Sequence, residues 1–192
     1  MDKAEIKNTG AAVCVFCGSS FGADPAFRDA AQTIGAGIAA NGWQLVFGGG
    51  SPGLMGVTAR AAREAGTQVQ GILPAFLRDV EPPLTHGETT EIVSDLFVRK
   101  QKMIESADGF VVLPGGLGTY DEFFEVLTAA QLGVHAKPII LVNVNGYYDP
   151  LEAMLRGAVA AGFVQEKTLT LYQLAGSADA ALTLMAKALN GA

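Results

Sequence analysis

One stretch, Leu113-Pro-Gly-Gly-Leu-Gly-Thr-Tyr-Asp-Glu-Phe-Phe-Glu125, restricts the folds open to this chain more than any other. It follows Gly109-Phe-Val-Val-Leu113, a short β-branched and aromatic run bounded by punctuating residues, which reads as a buried strand. Pro114 ends that strand. Three glycines then permit a tight turn and let a ligand approach the backbone with no Cβ in the way. A helix is expected from Tyr120 to about Leu132, with Thr119 as its cap. Its first turn offers free N–H groups at the positive end of the helix dipole, so strand, glycine-rich turn and helix start together make a place for a phosphate.

Glu122 admits two readings. Thr119-x-x-Glu122 is a capping box, in which the carboxylate reaches back to the cap residue's own N–H. Against that, the box follows a Gly-Gly-x-Gly turn, where Asp121 and Glu122 would repel an incoming phosphate. A carboxylate kept there makes better sense facing a different part of the ligand, with a cation nearby.

The rest of the chain repeats the alternation. Ala11–Cys17 reads as the first strand, and Gly18-Ser-Ser-Phe-Gly22 suits a second ligand-facing loop or a plain turn. Asp24-Pro25 opens a helix to about Ala40, closed by Asn41-Gly42, and Trp43–Phe47 is the next strand. Glycines 48, 50 and 53 then satisfy G-x-G-x-x-G, which invites a dinucleotide reading. That reading needs an acidic residue at the end of the following strand, and Thr67–Leu73 has no Asp or Glu. Ser51 as cap and Pro52 at the first position still give an anion-binding helix start. From Pro74 to Thr90 the chain reads as a long loop, of a length that often serves as a lid or binding edge.

A short strand is expected at Glu91–Val93, then a helix from Leu96 to Ser106 capped by Asp95 and carrying Arg99, Lys100 and Lys102. Basic residues on such a helix ordinarily face solvent, but this one leads directly into the Gly109 strand. A buried strand at Pro138–Asn143, a helix ending near Gly162, a short strand near Leu169–Tyr172 and a C-terminal helix complete the pattern. The fold class expected is α/β: a Rossmann-like, doubly wound parallel sheet with helices on both faces, spanning residues 11–192 after a polar tail of residues 1–10. Ligands in such sheets sit beyond the carboxyl ends of the strands, where all three glycine-rich turns should converge.

Composition excludes several partners. A net charge of −6 leaves no basic stripe for a nucleic acid, though one small anion could still be held locally. No apolar run approaches the roughly 20 residues that span a bilayer, and the first ten residues lack an apolar core, so a cytoplasmic protein is expected. Cys14-Val-Phe-Cys17 lies in a strand, where residues three apart point to opposite faces, so buried thiols are expected rather than a redox pair. Two cysteines with His86 and His135 make a poor metal set, and no metal is expected.

Pro114-Gly-Gly-Leu-Gly-Thr-Tyr-Asp-Glu122 fits PGGxGTxxE, and Arg99-Lys100 fits a paired RK upstream. With Cys17-Gly-Ser-Ser20, Gly48-Gly-Gly-Ser-Pro-Gly-Leu-Met-Gly56 and Ala130-Gln-Leu-Gly133, the chain from about residue 12 to 165 resembles the LONELY GUY family. The resemblance implies a cytokinin riboside 5′-monophosphate phosphoribohydrolase, which cuts the N-glycosidic bond to release the free base and ribose 5-phosphate. Many such proteins also act on AMP. It assigns catalytic roles to Arg99 and Glu122, and it places the nucleotide against Lys100, Gly115, Gly116, Leu117, Gly118, Thr119 and Thr128. Gly18, Ser19, Gly49, Gly50 and Met103 are further candidates, and Glu81 would reach in from the long loop. A homodimer without metal or organic cofactor is implied. The chain departs from the family pattern at Leu96-Phe97, where Met-His is common, and at Thr128-Ala-Ala-Gln131, where Thr-Trp-Ala-Gln is common. The missing Trp bears on base preference. Some relatives carry the label lysine decarboxylase, which the chemistry of these motifs does not support. The opposing hypothesis is a non-catalytic nucleotide-binding module in which Glu122 is only a cap.

Overall fold

The structure, a computed structural model, describes residues 10–83 and 89–191. The first nine residues of the expected tail, and His86, lie outside the described residues. Strands β1 (Ala12–Phe16), β2 (Gln44–Phe47), β3 (Val69–Pro74), β4 (Thr89–Val93), β5 (Gly109–Val112), β6 (Ile139–Val142) and β7 (Gln173–Ala175) form one sheet. Their order is β4-β3-β2-β1-β5-β6-β7, and every neighbouring pair is parallel. Helices α1 (Pro25–Ala40), α2 (Gly53–Glu64), α3 (Leu96–Ser106), α4 (Leu117–Gln131), α5 (Asp149–Ala160) and α6 (Ala178–Asn190) cover it. This is the doubly wound Rossmann-like arrangement expected.

The two faces are built by alternation along the strands. Val13, Val15 and Cys17 join Ile34, Leu54 and Met185 of α1, α2 and α6 in one core. Cys14 and Phe16 join Met103, Phe123 and Leu155 of α3, α4 and α5 in the other. Each fully buried Ile, Leu or Phe in these layers contributes about 1.5–3 kcal/mol of transfer free energy. Cys14 and Cys17 therefore face opposite cores as buried free thiols. Asp95 caps α3 as expected, accepting from the N–H groups of Phe97 and Val98 at 2.9 and 3.0 Å.

Four local expectations are corrected. Helix α4 starts at Leu117, three residues before Tyr120, with Gly116 as its extended cap residue and no side-chain cap. Thr119 thus lies inside the first turn, where no capping box with Glu122 can form, and its hydroxyl packs over Gly115 instead. Helix α2 starts at Gly53 rather than Pro52, because Pro52, with ψ of 160°, is the extended cap residue and displaces Ser51 from that role. Strand β4 begins at Thr89, two residues earlier than expected, and pairs along its whole length with β3. Strand β7 lies at Gln173–Ala175, while residues 166–170 form a 3-10 turn and Tyr172 turns inward against Phe123. The apolar run Leu169–Tyr172 closes the end of the helix layer instead of adding to the sheet.

Candidate active site

Strand order reverses between β1 and β5, and the chain leaves both strands there through glycine-rich turns. In open α/β sheets this switch point is where ligands bind. The two turns touch: Gly18 N–H donates to Pro114 O at 3.1 Å, and a Cβ on Gly18 would lie 3.2 Å from Gly115 Cα. Between them and α3 is a cleft of about 150 Å³ lined by Cys17, Gly18, Ser19, Met55, Glu81, Arg99, Gly116, Leu117, Gly118, Thr119 and Glu122.

The two helix starts at this end of the sheet differ chemically. At α2 the amides of Leu54 and Met55 donate to Gly18 O at 3.0 and 3.3 Å, so the protein itself satisfies them. The expected anion site there is corrected: the β1 turn occupies it. Gly53, at φ of 58°, is required both by its left-handed backbone and by the Ser19 carbonyl carbon, 2.3 Å from where a Cβ would sit. At α4, among the described residues, no backbone carbonyl accepts from the N–H groups of Leu117, Gly118 or Thr119. Those first-turn amides have no intrahelical partner and line the cleft. An anion is favoured there.

Arg99 and Glu122 meet on the floor of the cleft, with Arg99 Nη2 3.5 Å from Glu122 Oε1 and both side chains almost entirely buried. Arg99 reaches Glu122 by lying across Gly48, where any Cβ would come within 1.8 Å of Nη2. Its Nε is buried and has no hydrogen-bond partner among the described residues, while the side chain as a whole lines the cleft. Burial pushes the Glu122 carboxyl up to about 7; Arg99 pulls it down, and Asp121 and Glu81 raise it further. Desolvation outweighs the neighbouring cation, so Glu122 gains and loses its proton near neutrality. Burial, with Glu122 beside it, also pushes the Cys17 thiol far up, leaving little thiolate.

The residues expected at the site divide. Arg99, Glu122, Gly18, Ser19, Glu81, Gly116, Leu117, Gly118 and Thr119 line one cleft. Gly115 packs against Thr119 and lines an adjoining cavity with Gly116 and Tyr147. Lys100 points away, paired with Asp121 Oδ2 at 2.9 Å and with Glu125. Met103 is corrected as a contact residue: it is fully buried in the core against the sheet, where no ligand reaches it. Thr128 is exposed on α4, six residues and so about 9 Å along the axis from Glu122. Gly49, at φ of 80°, turns the chain under Leu73. Gly50 bridges to Pro83, and Ser51 N–H donates to Pro82 O at 2.8 Å, which straps the loop carrying Glu81 onto the β2–α2 turn. Three contributors were not assigned to the site from sequence, Gly48, Cys17 and Met55. All three lie in quoted motifs, Gly48 also as a glycine whose dinucleotide purpose lacked its acidic partner, but a motif does not say which of its residues face the cleft.

A profile of the family described as "Possible lysine decarboxylase" matches residues 55–185. The chain is 44% identical over 153 residues to "Probable cytokinin riboside 5′-monophosphate phosphoribohydrolase LOGL1" of Oryza sativa subsp. japonica, covering 80% of this chain and 69% of that protein. It is 50% identical over 153 residues to the rice protein similarly named LOGL9, covering 79% and 67%. It is 43% identical over 163 residues to "Cytokinin riboside 5′-monophosphate phosphoribohydrolase LOG7" of Arabidopsis thaliana, covering 83% and 74%. Among solved structures, the molybdenum cofactor binding protein of Rippkaea orientalis superposes with a TM-score of 0.70 at 23% identity over 93% of this chain and 97% of that one. The Moco carrier protein of Chlamydomonas reinhardtii matches with 0.70 at 20% identity over 95% and 99%. At that identity the likeness is one of fold. On its sequence relatives and on the family profile, the chain belongs to the LONELY GUY family of cytokinin riboside 5′-monophosphate phosphoribohydrolases.

Proposed function

We infer that this protein hydrolyses the N-glycosidic bond of a nucleoside 5′-monophosphate, of cytokinin type or AMP, to the free base and ribose 5-phosphate. The observation that carries this reading is the pairing of a buried, near-neutral carboxyl, Glu122, with Arg99 in a cleft whose other wall is an uncapped helix start. The phosphate sits on the amides of residues 116–119 and fixes the sugar. Cleavage develops positive charge at C1′ as the C–N bond lengthens, and the ionised Glu122 stabilises that charge. It also takes the proton of the water whose oxygen bonds to C1′, while the C–N bonding pair leaves with the base nitrogen, which receives that proton back from Glu122. A pKa near the working pH suits a group that must both accept and return a proton. Arg99 stays charged throughout, orients Glu122 and binds a ribose or phosphate oxygen.

The homologues named as phosphoribohydrolases support this over the binding module, whose premise was a capping role for Glu122 that α4 does not provide. A homodimer is part of the proposal, supported by the exposed Phe97, Leu117, Leu132 and Val134 around α3 and α4, each at least 71% accessible. Incubation with AMP, followed by chromatography for adenine, tests the reaction. Gel filtration with light scattering tests the dimer.

A further inference from the structure

We propose that Tyr147 is a positioning residue of the phosphate-binding turn: its hydroxyl fixes the orientation of the Gly115–Gly116 peptide so that the Gly116 N–H faces the cleft. The proposal rests on the reading above that the α4 start receives the phosphate. Three successive carbonyls leave β5, and each has a donor. Tyr148 OH donates to Leu113 O at 2.6 Å, Gly18 N–H donates to Pro114 O at 3.1 Å, and Tyr147 OH donates to Gly115 O. In a planar trans peptide the C=O of one residue and the N–H of the next point in opposite directions. Tyr147 and Gly115 line an adjoining cavity of about 260 Å³, which Gly116 shares with the cleft, so anchoring the Gly115 carbonyl on the Tyr147 side sends the Gly116 N–H the other way, toward the cleft.

This peptide needs an anchor more than its neighbours do. It joins two glycines, which accept the backbone angles of a flipped peptide at small cost. A flip would turn a carbonyl oxygen toward the anion. The Leu113 carbonyl precedes Pro114, which has no N–H, so Tyr148 orients no cleft donor and serves as an internal comparison. Tyr147 is itself braced: Tyr120 OH donates to its hydroxyl at 3.4 Å, and its ring meets those of Phe27 and Tyr148 edge-on at 5.4 and 5.0 Å. Asn143 accepts the Tyr148 N–H at 2.7 Å and donates to Asp149 at 2.7 Å, which holds the Tyr147-Tyr148 pair at the end of β6. Tyr147 is only half-buried, so removing its oxygen leaves the core intact.

The test compares wild type, Tyr147→Phe and Tyr148→Phe for affinity toward inorganic phosphate by calorimetry, and for KM and kcat with AMP. With one anchoring hydrogen bond lost, Tyr147→Phe should weaken phosphate and raise KM by about 3- to 10-fold. The unfolding midpoint and the pH profile set by Glu122 should stay unchanged. Tyr148→Phe should lower the unfolding midpoint with less effect on phosphate. Equal phosphate affinity in wild type and Tyr147→Phe would overturn the proposal, as would a larger phosphate effect from Tyr148→Phe. A wild type that binds phosphate yet releases no base from AMP would defeat the hydrolase reading alone, because phosphate affinity would still decide the role of Tyr147.

Discussion

The guanidinium of Arg99 crosses the face of Gly48, and a single added carbon at that glycine would sit 1.8 Å from Nη2. Gly48 lies on the β2 turn and Arg99 on α3, so the first glycine of a nucleotide-type motif serves here as a seat for a side chain. Gly48→Ala should displace the far end of a flexible side chain and leave the fold standing. Displacements of about 1 Å in reacting groups can cost about 100-fold in rate. We expect a fall of that order in kcat, with the unfolding midpoint near wild type. Unimpaired turnover would show that the placement of Arg99 is immaterial.

Glu122→Gln keeps the shape and removes the proton acceptor. Turnover should drop by about 10²- to 10⁴-fold, while nucleotide affinity, read by calorimetry, changes little. A variant that turns over at close to the normal rate removes Glu122 from the chemistry.

The carboxyl of Glu122, pushed up to about 7 by burial, gives the rate a pH dependence. Because the ionised form acts, kcat/KM should rise with pH along a limb centred near pH 7. The same shift has a stability consequence of definite sign. Between its ordinary value of 4.5 and about 7 the folded protein binds more protons at this site than the unfolded chain, so stability falls as pH rises through that window. Chemical denaturation at pH 5 and pH 8 should show this fall in wild type and a smaller one in Glu122→Gln. Equal pH slopes in the two proteins would contradict the shift.

Burial also raises the thiols of Cys14 and Cys17 far above their usual range. Neither should react with an exposed-thiol reagent at pH 7.5 until the protein is unfolded, after which both should titrate. Rapid labelling of Cys17 in the folded protein would show the cleft more open than its geometry implies.

Much of this architecture could be read from local chemistry. Apolar runs such as Gly109–Leu113, Pro138–Asn143 and Ala11–Cys17 read as buried strands of a parallel sheet, and Asp24 and Asp95 marked the starts of α1 and α3. What could not be read depended on contacts between distant segments. Ser51-Pro52 looks like an anion-binding helix start, yet the Gly18 carbonyl from 36 residues away takes the amides of Leu54 and Met55. Thr119 has the identity and spacing of a cap, but glycine at 116 lets the helix begin earlier. Lys100 follows Arg99 directly, and the roughly 100° rotation per residue of a helix sends it to Asp121 and Glu125 instead of the cleft.

The most direct test of the central claim is the fate of AMP incubated with the purified protein. Chromatography should show adenine and ribose 5-phosphate in equal amounts, with production abolished in Arg99→Ala and nearly so in Glu122→Gln. AMP bound but recovered intact, or adenine released at the same rate by the Glu122 variant, would contradict the account.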